Sequence, residues 1–482
     1  MALRNTGGSA FWRLSFWSAA LAGALWLGYG HRTTGAEPTK SLHVNPETPA
    51  ATGSEAHSAA SRGDARGPAG HEDPVTPLLL GISIILLAAK VGADLMVRAR
   101  QPAVLGELLI GVVLGNLVLV GFDGLEFLRP AGLQEAGAAI AGANGSLAAV
   151  TLDMLARIGV ILLLFEVGLE SSVHEMRKVG VSSLLVAILG VIAPMGLGWL
   201  VSRWLLPNES WHVHLFIGAL KDLGKTGAAE SKIILGAAVI DDVLGLVLLA
   251  VVQAIIVQGS ASPLEVALIV GKALLFLVGA VLIGDWLSPR LFGVAARLRV
   301  HGMLMITGLV FCFGLSWGAS LMGLAPIVGA FAAGLILDAK HYEVLQGPGE
   351  RSLEDWVLPV TTLLVPIFFV MMGFQVDLRS FGDPSVLLLA LGITAAALIG
   401  KQACSLGVVG RGIDRLSVGI GMIPRGEVGL IFAAIGRGLV ENGEPVINSA
   451  VYSAIVVMVM VTTLVTPPLL NWSLSRRRPQ HP

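Results

Sequence analysis

From Val75 to Leu470 the chain is a series of apolar runs separated by short polar breaks. Most runs last about 20 residues, the length a helix needs to cross ~30 Å of hydrocarbon at about 1.5 Å per residue. The pattern predicts helices over 76–97, 102–121, 149–169, 182–205, 231–257, 264–286, 301–320, 322–338, 357–374, 386–409, 414–437 and 447–470. One further run, His212-Val-His-Leu-Phe-Ile-Gly-Ala-Leu220, is only about half a span long before Lys221-Asp222 interrupts it.

The start of the chain follows a different pattern. Arg4 and Arg13 flank a short apolar run, Phe16 to Gly28, followed by Thr33-Thr-Gly-Ala36. This is the layout of a secretory signal peptide over 1–36, with an extra anchoring helix as the alternative. Residues 37–74 are rich in Ala, Gly, Pro, Ser, Glu and His without apolar periodicity, which predicts a disordered tail.

Composition narrows the class. Hydrophobic residues make up 54% of the chain and charged residues 13%, against about 25% charged in a soluble domain. Mean hydropathy is +0.78. The net charge of -1 gives no sign of a nucleic-acid partner. Cys312 and Cys404 both lie in apolar runs, so no disulfide framework is expected. Sixty glycines suit the close packing of membrane helices.

Charge also orients the loops. With residues 37–74 outside, Arg98, Arg100, Arg177, Lys178, Lys221, Lys225, Arg290, Arg297, Arg299, Arg411, Arg415 and Arg476 to Arg478 all fall inside. In the loop 122–148 Arg129 is the only Lys or Arg, and 258–263 carries no charge. This is the positive-inside pattern of a multi-pass protein of the cell inner (plasma) membrane, with 471–482 as a basic cytoplasmic tail. The parity holds only if 212–220 counts as a crossing.

Candidate chemistry begins at Asp241-Asp242, in the middle of the run 233–252. A carboxylate near the bilayer centre costs at least a few kcal/mol, so two adjacent ones point to a cation or a proton met in a water-filled site. Neighbours on a helix point about 100° apart. Asp241 and Asp242 therefore face different partners and cannot converge across one substrate bond, which argues against an intramembrane aspartyl protease. Lys401, after Ala395-Ala-Ala-Leu-Ile-Gly400, lies deep enough that it must snorkel or pair, and one of the aspartates is its natural partner. Gly421-Met-Ile-Pro-Arg-Gly-Glu-Val-Gly429 puts three glycines, Pro424, Arg425 and Glu427 inside an apolar run. That composition breaks the helical ladder, and broken backbone survives at membrane depth only where it lines a cavity or is buried in protein. The alternative is a helix–loop boundary at the surface. Glu107 and Glu166 are two more intramembrane acids, readable as proton relays or as structural hydrogen-bonding groups. Pro366-Ile-Phe-Phe-Val-Met-Met-Gly373 reads as packing.

Together, Pro102-Ala-Val-Leu-Gly-Glu-Leu-Leu-Ile-Gly-Val-Val-Leu-Gly115, Phe165-Glu-Val-Gly-Leu-Glu170, Leu235-Gly-Ala-Ala-Val-Ile-Asp-Asp-Val-Leu-Gly245, Gly400-Lys401 and Met422-Ile-Pro-Arg-Gly-Glu-Val-Gly429 resemble the monovalent cation:proton antiporter-2 family over about 75–470. The resemblance implies an all-α polytopic membrane protein. Its inverted-repeat cation/proton antiporter fold has about thirteen spans, one of them truncated here, in a core domain and a dimerisation domain. It implies Na⁺ or K⁺ exchanged for H⁺, a homodimer, and neither a cofactor nor enzymatic turnover. Asp242 matches the ion- and proton-binding carboxylate, Asp241 the carboxylate that pairs with a core lysine, and Lys401 that lysine. Pro424, Arg425 and Glu427 match the unwound crossover of the second repeat. Lys with both Asp implies electrogenic exchange, more protons moving than cations. One departure stands out: the unwound helix of the first repeat should lie at Ala219–Leu220, and its Thr-Ala-Thr-Ser-like middle is absent. Cation ligands go with it, so the expectation is antiport weaker than in a complete relative, or a non-transporting relative.

Overall fold

A computed structural model of the protein describes residues 75–122, 124–128, 144–171, 181–207, 213–214, 229–258, 263–298, 300, 302–337, 352–409, 413–423, 427–441 and 444–475. The leader and tail expected over 1–74, the junction Ala219–Leu220, Lys221, Asp222, Pro424, Arg425 and residues 476–482 lie outside them.

The described chain is helical. In order come α1 (Val75–Arg98), α2 (Ala103–Gly115), α3 (Asn144–Glu170), α4 (Val181–Leu205), α5 (Ala229–Gln258), α6 (Pro263–Ala295), α7 (Met303–Leu321), α8 (Pro326–Ile336), α9 (Leu353–Phe374), α10 (Pro384–Gln402), α11 (Arg415–Gly421), α12 (Glu427–Gly438) and α13 (Ser449–Ser475). A two-residue antiparallel pair, β1 (Val440–Glu441) and β2 (Glu444–Pro445), joins α12 to α13. Among the described residues, 8 helical segments are long and apolar enough to cross a membrane.

Four expected spans are shorter or broken; that at 386–409 ends as a helix at Gln402 and continues as a 3₁₀ turn over Ala403–Gly407. The span at 102–121 ends as a helix at Gly115 and continues as a 3₁₀ turn over Leu117–Val120. The Asn116 side chain explains the stop. It donates to the carbonyls of Val112 at 2.9 Å and Val376 at 2.7 Å, and accepts from the amide of Leu378 at 3.0 Å. A side chain bonded to backbone in this way competes with the helical ladder. The span at 322–338 is an 11-residue helix. Gly323 turns the chain at φ 78, and Pro326 starts the helix at a position where no amide is needed. The span at 414–437 is two helices, α11 ending at Gly421 and α12 beginning at Glu427. By contrast, α6 outruns its expected end by continuing through Pro289 to Ala295.

The helices form two bundles. In the first, α8 packs on α3 and α7, α2 on α1 and α9, and α9 on α3. In the second, α10 packs on α4 and α13, α4 on α5, and α11 and α12 on α13. The long helix α6 touches α5 on one side and α7 and α8 on the other.

The pattern repeats with α1–α5 and α7–α13 as the two copies and α6 between them. Glycines mark the repeat because they permit backbones to touch. A Cβ on Gly106 would lie 2.0 Å from the Gly92 carbonyl oxygen of α1, and one on Gly329 would lie 2.2 Å from that of Leu315 on α7. Gly111 of α2 abuts Val370 of α9, and Gly334 of α8 abuts Phe165 of α3. Gly373 of α9 meets Leu108, as Gly168 of α3 meets Phe331. Counterparts run antiparallel. Gly190 of α4 lies beside Lys401 of α10, while Gly392, near the start of α10, packs on Val201 and Leu205 at the end of α4. The copies are therefore inverted relative to one another, as the resemblance implied.

Helix α10, which carries Lys401, is anchored at its start. Asp383 accepts from the Ser385 amide at 2.9 Å and its hydroxyl at 2.8 Å. These bonds, the amide first, hold the exposed Asp383 carboxyl below its ordinary range.

Candidate functional site

The candidate site lies within the second bundle. Asp241 and Asp242 sit midway along α5, 0% and 4% exposed. Lys401 sits in the last turn of α10 and is 1% exposed. Its Nζ donates to Asp241 Oδ2 at 2.7 Å, within ion-pair distance. Charge-assisted bonds of this length are among the strong ones, and a dry surrounding makes their loss costly.

The third wall is backbone. A Cβ on Gly190 would stand 3.0 Å from Cys404 Sγ, 3.2 Å from Lys401 Nζ and 3.7 Å from Asp241 Oδ2. The glycine lets α4 close over the pair. Beside it, Gly400 packs against Pro194, where a Cβ would come within 2.6 Å of Pro194 Cα. Neither Gly190 nor Cys404 stood out in the sequence. Glycine is common in every apolar run here, and only the antiparallel packing of α4 on α10 distinguishes this one.

Below the pair is a separate apolar cluster of Val186, Ala187, Ile234, Ala237, Cys404, Val408, Val418 and Met422. It joins α4, α5, the chain after α10 and the end of α11. Gly421, the last residue of α11, lies where a Cβ would meet Ile234 Cδ1 at 2.5 Å. The interruption after Gly421 therefore begins against the helix that carries the aspartates. Glu427 opens α12, while Pro424 and Arg425 fall outside the described residues. Of the short run 212–220, Val213 and His214 are described; both are buried, and His214 Nδ1 lies 2.8 Å from Ser202 Oγ of α4.

The other two acids are elsewhere. Glu107 on α2 is 6% exposed and lies 3.9 Å from Lys90 Nζ of α1. Glu166 sits half-buried on α3. Both belong to the first bundle, so the pair of α5 and α10 is assembled without them. Among the described residues no cluster of His, Cys, Asp and Glu has the arrangement of a metal centre.

Known proteins resemble this chain in sequence and in fold. Residues 82–475 match the family model described as sodium/hydrogen exchanger, transmembrane. The high-affinity Na⁺/H⁺ antiporter NhaS3 of Synechocystis is 33% identical over 435 residues, covering 83% of this chain and 91% of that protein. The Na⁺/H⁺-K⁺ antiporter GerN of Bacillus cereus is 32% identical over 414 residues, covering 82% and 96%. In fold, the chain is similar to the sodium proton antiporter MjNhaP1 of Methanocaldococcus jannaschii at pH 8. That likeness has a TM-score of 0.59 at 15% identity, over 82% of this chain and 99% of that one.

Proposed function

The chain belongs to the transmembrane sodium/hydrogen exchanger family of cation/proton antiporters, and we propose that it exchanges Na⁺ or K⁺ for H⁺ by competition at Asp242. The observation that carries this reading is the division of labour between adjacent aspartates. Asp241 is engaged by Lys401 at 2.7 Å, while Asp242 projects about 100° away on the same helix. A buried carboxylate favours its neutral form, and a nearby cation favours the charged one. A proton and a dehydrated cation then compete for one carboxylate, which couples their movements without further machinery.

In this reading the second bundle is the core domain and the first the dimerisation domain of a homodimer. Their relative movement alternates access to Asp242, as in other transporters built from inverted repeats. Residues 75–470 form the exchanger domain, 1–36 a signal peptide, 37–74 an extracytoplasmic tail and 471–482 a cytoplasmic tail. Pro424, Arg425 and Glu427 serve as the crossover beside the site.

The test is cation-induced proton movement in everted inner-membrane vesicles. Asp242→Asn should abolish it while the protein still reaches the membrane. Full exchange by that variant would remove Asp242 from the site. The short run 212–220 supports a second reading, an impaired relative, and exchange by the unaltered chain at the rate of a complete relative would exclude it.

A further inference from the structure

We propose that Tyr452 and Arg437 are the gate residues of the exchanger on the extracytoplasmic side, tying the second bundle to the C-terminal carbonyls of α9 and releasing them each time the site opens outward. This rests on the alternating-access reading above and on the orientation expected from the charge pattern. That pattern puts the start of α3 and the ends of α9 and α12 outside.

The geometry is concentrated at one helix end. Tyr452, in the first turn of α13, is fully buried, and its hydroxyl donates to the carbonyl of Met372 at 2.9 Å. Arg437, in the last turn of α12, donates through Nη1 to the carbonyl of Gln375 at 3.4 Å. Its guanidinium carbon lies 5.2 Å from the centroid of the Tyr452 ring. Next to them the amide of Asp377 donates to Ser453 Oγ at 2.9 Å. α9 belongs to the first bundle; α12 and α13 belong to the second. The last carbonyls of a helix have no partner within it, and the negative end of its dipole favours a cation. Arg437 and Tyr452 supply both the donors and the charge.

Behind these bonds the apolar contact between the bundles, which includes Met372 and Tyr452, is interrupted by a void. A cavity of about 280 Å³ lies between them, with Val160 and Ile161 of α3, Phe368 of α9, and Ile431 and Ile435 of α12 among its walls. Many waters would fit in that space, since one occupies about 30 Å³ of liquid. At this end of the molecule, then, polar bonds join the bundles beside a void, next to their shared apolar contacts. A small set of hydrogen bonds beside a void can break and re-form on each cycle.

The experiment uses the full chain with Ile435→Cys as reporter, labelled in intact cells by a membrane-impermeant maleimide. The chain without this cysteine gives the background of the buried Cys312 and Cys404. Adding Tyr452→Phe or Arg437→Gln should raise the labelling rate about two- to tenfold, the range expected for losing one hydrogen bond. Arg437→Lys, which keeps a cation at the helix end, should label more slowly than Arg437→Gln. The rise should persist with Asp242→Asn, where exchange is lost, so the gate and the ion site fail separately. An unchanged labelling rate in a variant that reaches the membrane would overturn the proposal, as would a rise seen only from the cytoplasmic face.

Discussion

Lys401 and Asp241 hold each other in a buried place where an isolated charge is costly. The nitrogen and oxygen are 2.7 Å apart and both side chains are essentially inaccessible. Removing one partner leaves an uncompensated buried charge, which typically costs about 3–5 kcal/mol, whereas removing both costs less. Thermal unfolding in detergent should therefore rank Asp241→Asn and Lys401→Met each below the double variant, and simple additivity would argue against the contact. Gly190→Ala is the companion test. Its methyl would press on Lys401 Nζ at 3.2 Å and Cys404 Sγ at 3.0 Å, so it should lower the melting temperature without touching a charge. The charged residues of this constellation were legible in the chain, because an ionisable group inside an apolar run demands an explanation. The glycine was not, because its role is the space it leaves for residues distant in sequence.

Helices of the two copies meet through backbone, and this makes single glycines unusually consequential. A Cβ on Gly373 would lie 2.1 Å from the Leu108 carbonyl oxygen, which no rotamer change can relieve. Gly373→Ala should push α2 and α9 apart and destabilise the first bundle by about 1–3 kcal/mol, the usual range for overpacking. A melting temperature equal to the parent's would show that this contact is slack. Length and apolar composition revealed where most helices run, but not where α2 stops or where α8 starts. Leu117–Val120 is as apolar as the helix before it, and only the Asn116 bonds to Val376 and Leu378 end the ladder. Gly421 and Pro424 did announce the interruption between α11 and α12, since both act on the local backbone.

At the scale of the molecule, two bundles share one long neighbour. α6 has 33 residues, about 50 Å at 1.5 Å per residue, well beyond a ~30 Å hydrocarbon layer. Its outward face, Leu264, Leu268, Leu275, Leu282 and Trp286, is exposed apolar surface. That face ends where Arg290 stacks on the Trp286 ring at 3.9 Å, an aromatic–cation pair suited to the headgroup level. Such a pair would hold the helix at one depth in the lipid while its other sides touch α5, α7 and α8. Any motion of one bundle against the other must drag on that attachment or tilt it. The surrounding lipid becomes a mechanical load on the exchanger. Reconstituted in bilayers of increasing acyl-chain length, the protein should work best at one thickness and slow on either side of it, at constant ion gradients. Trp286→Ala should flatten that optimum, and a parent profile that is already flat would show that α6 slides freely. With such an optimum in the parent, membrane thickness is an input to this protein, alongside its ions.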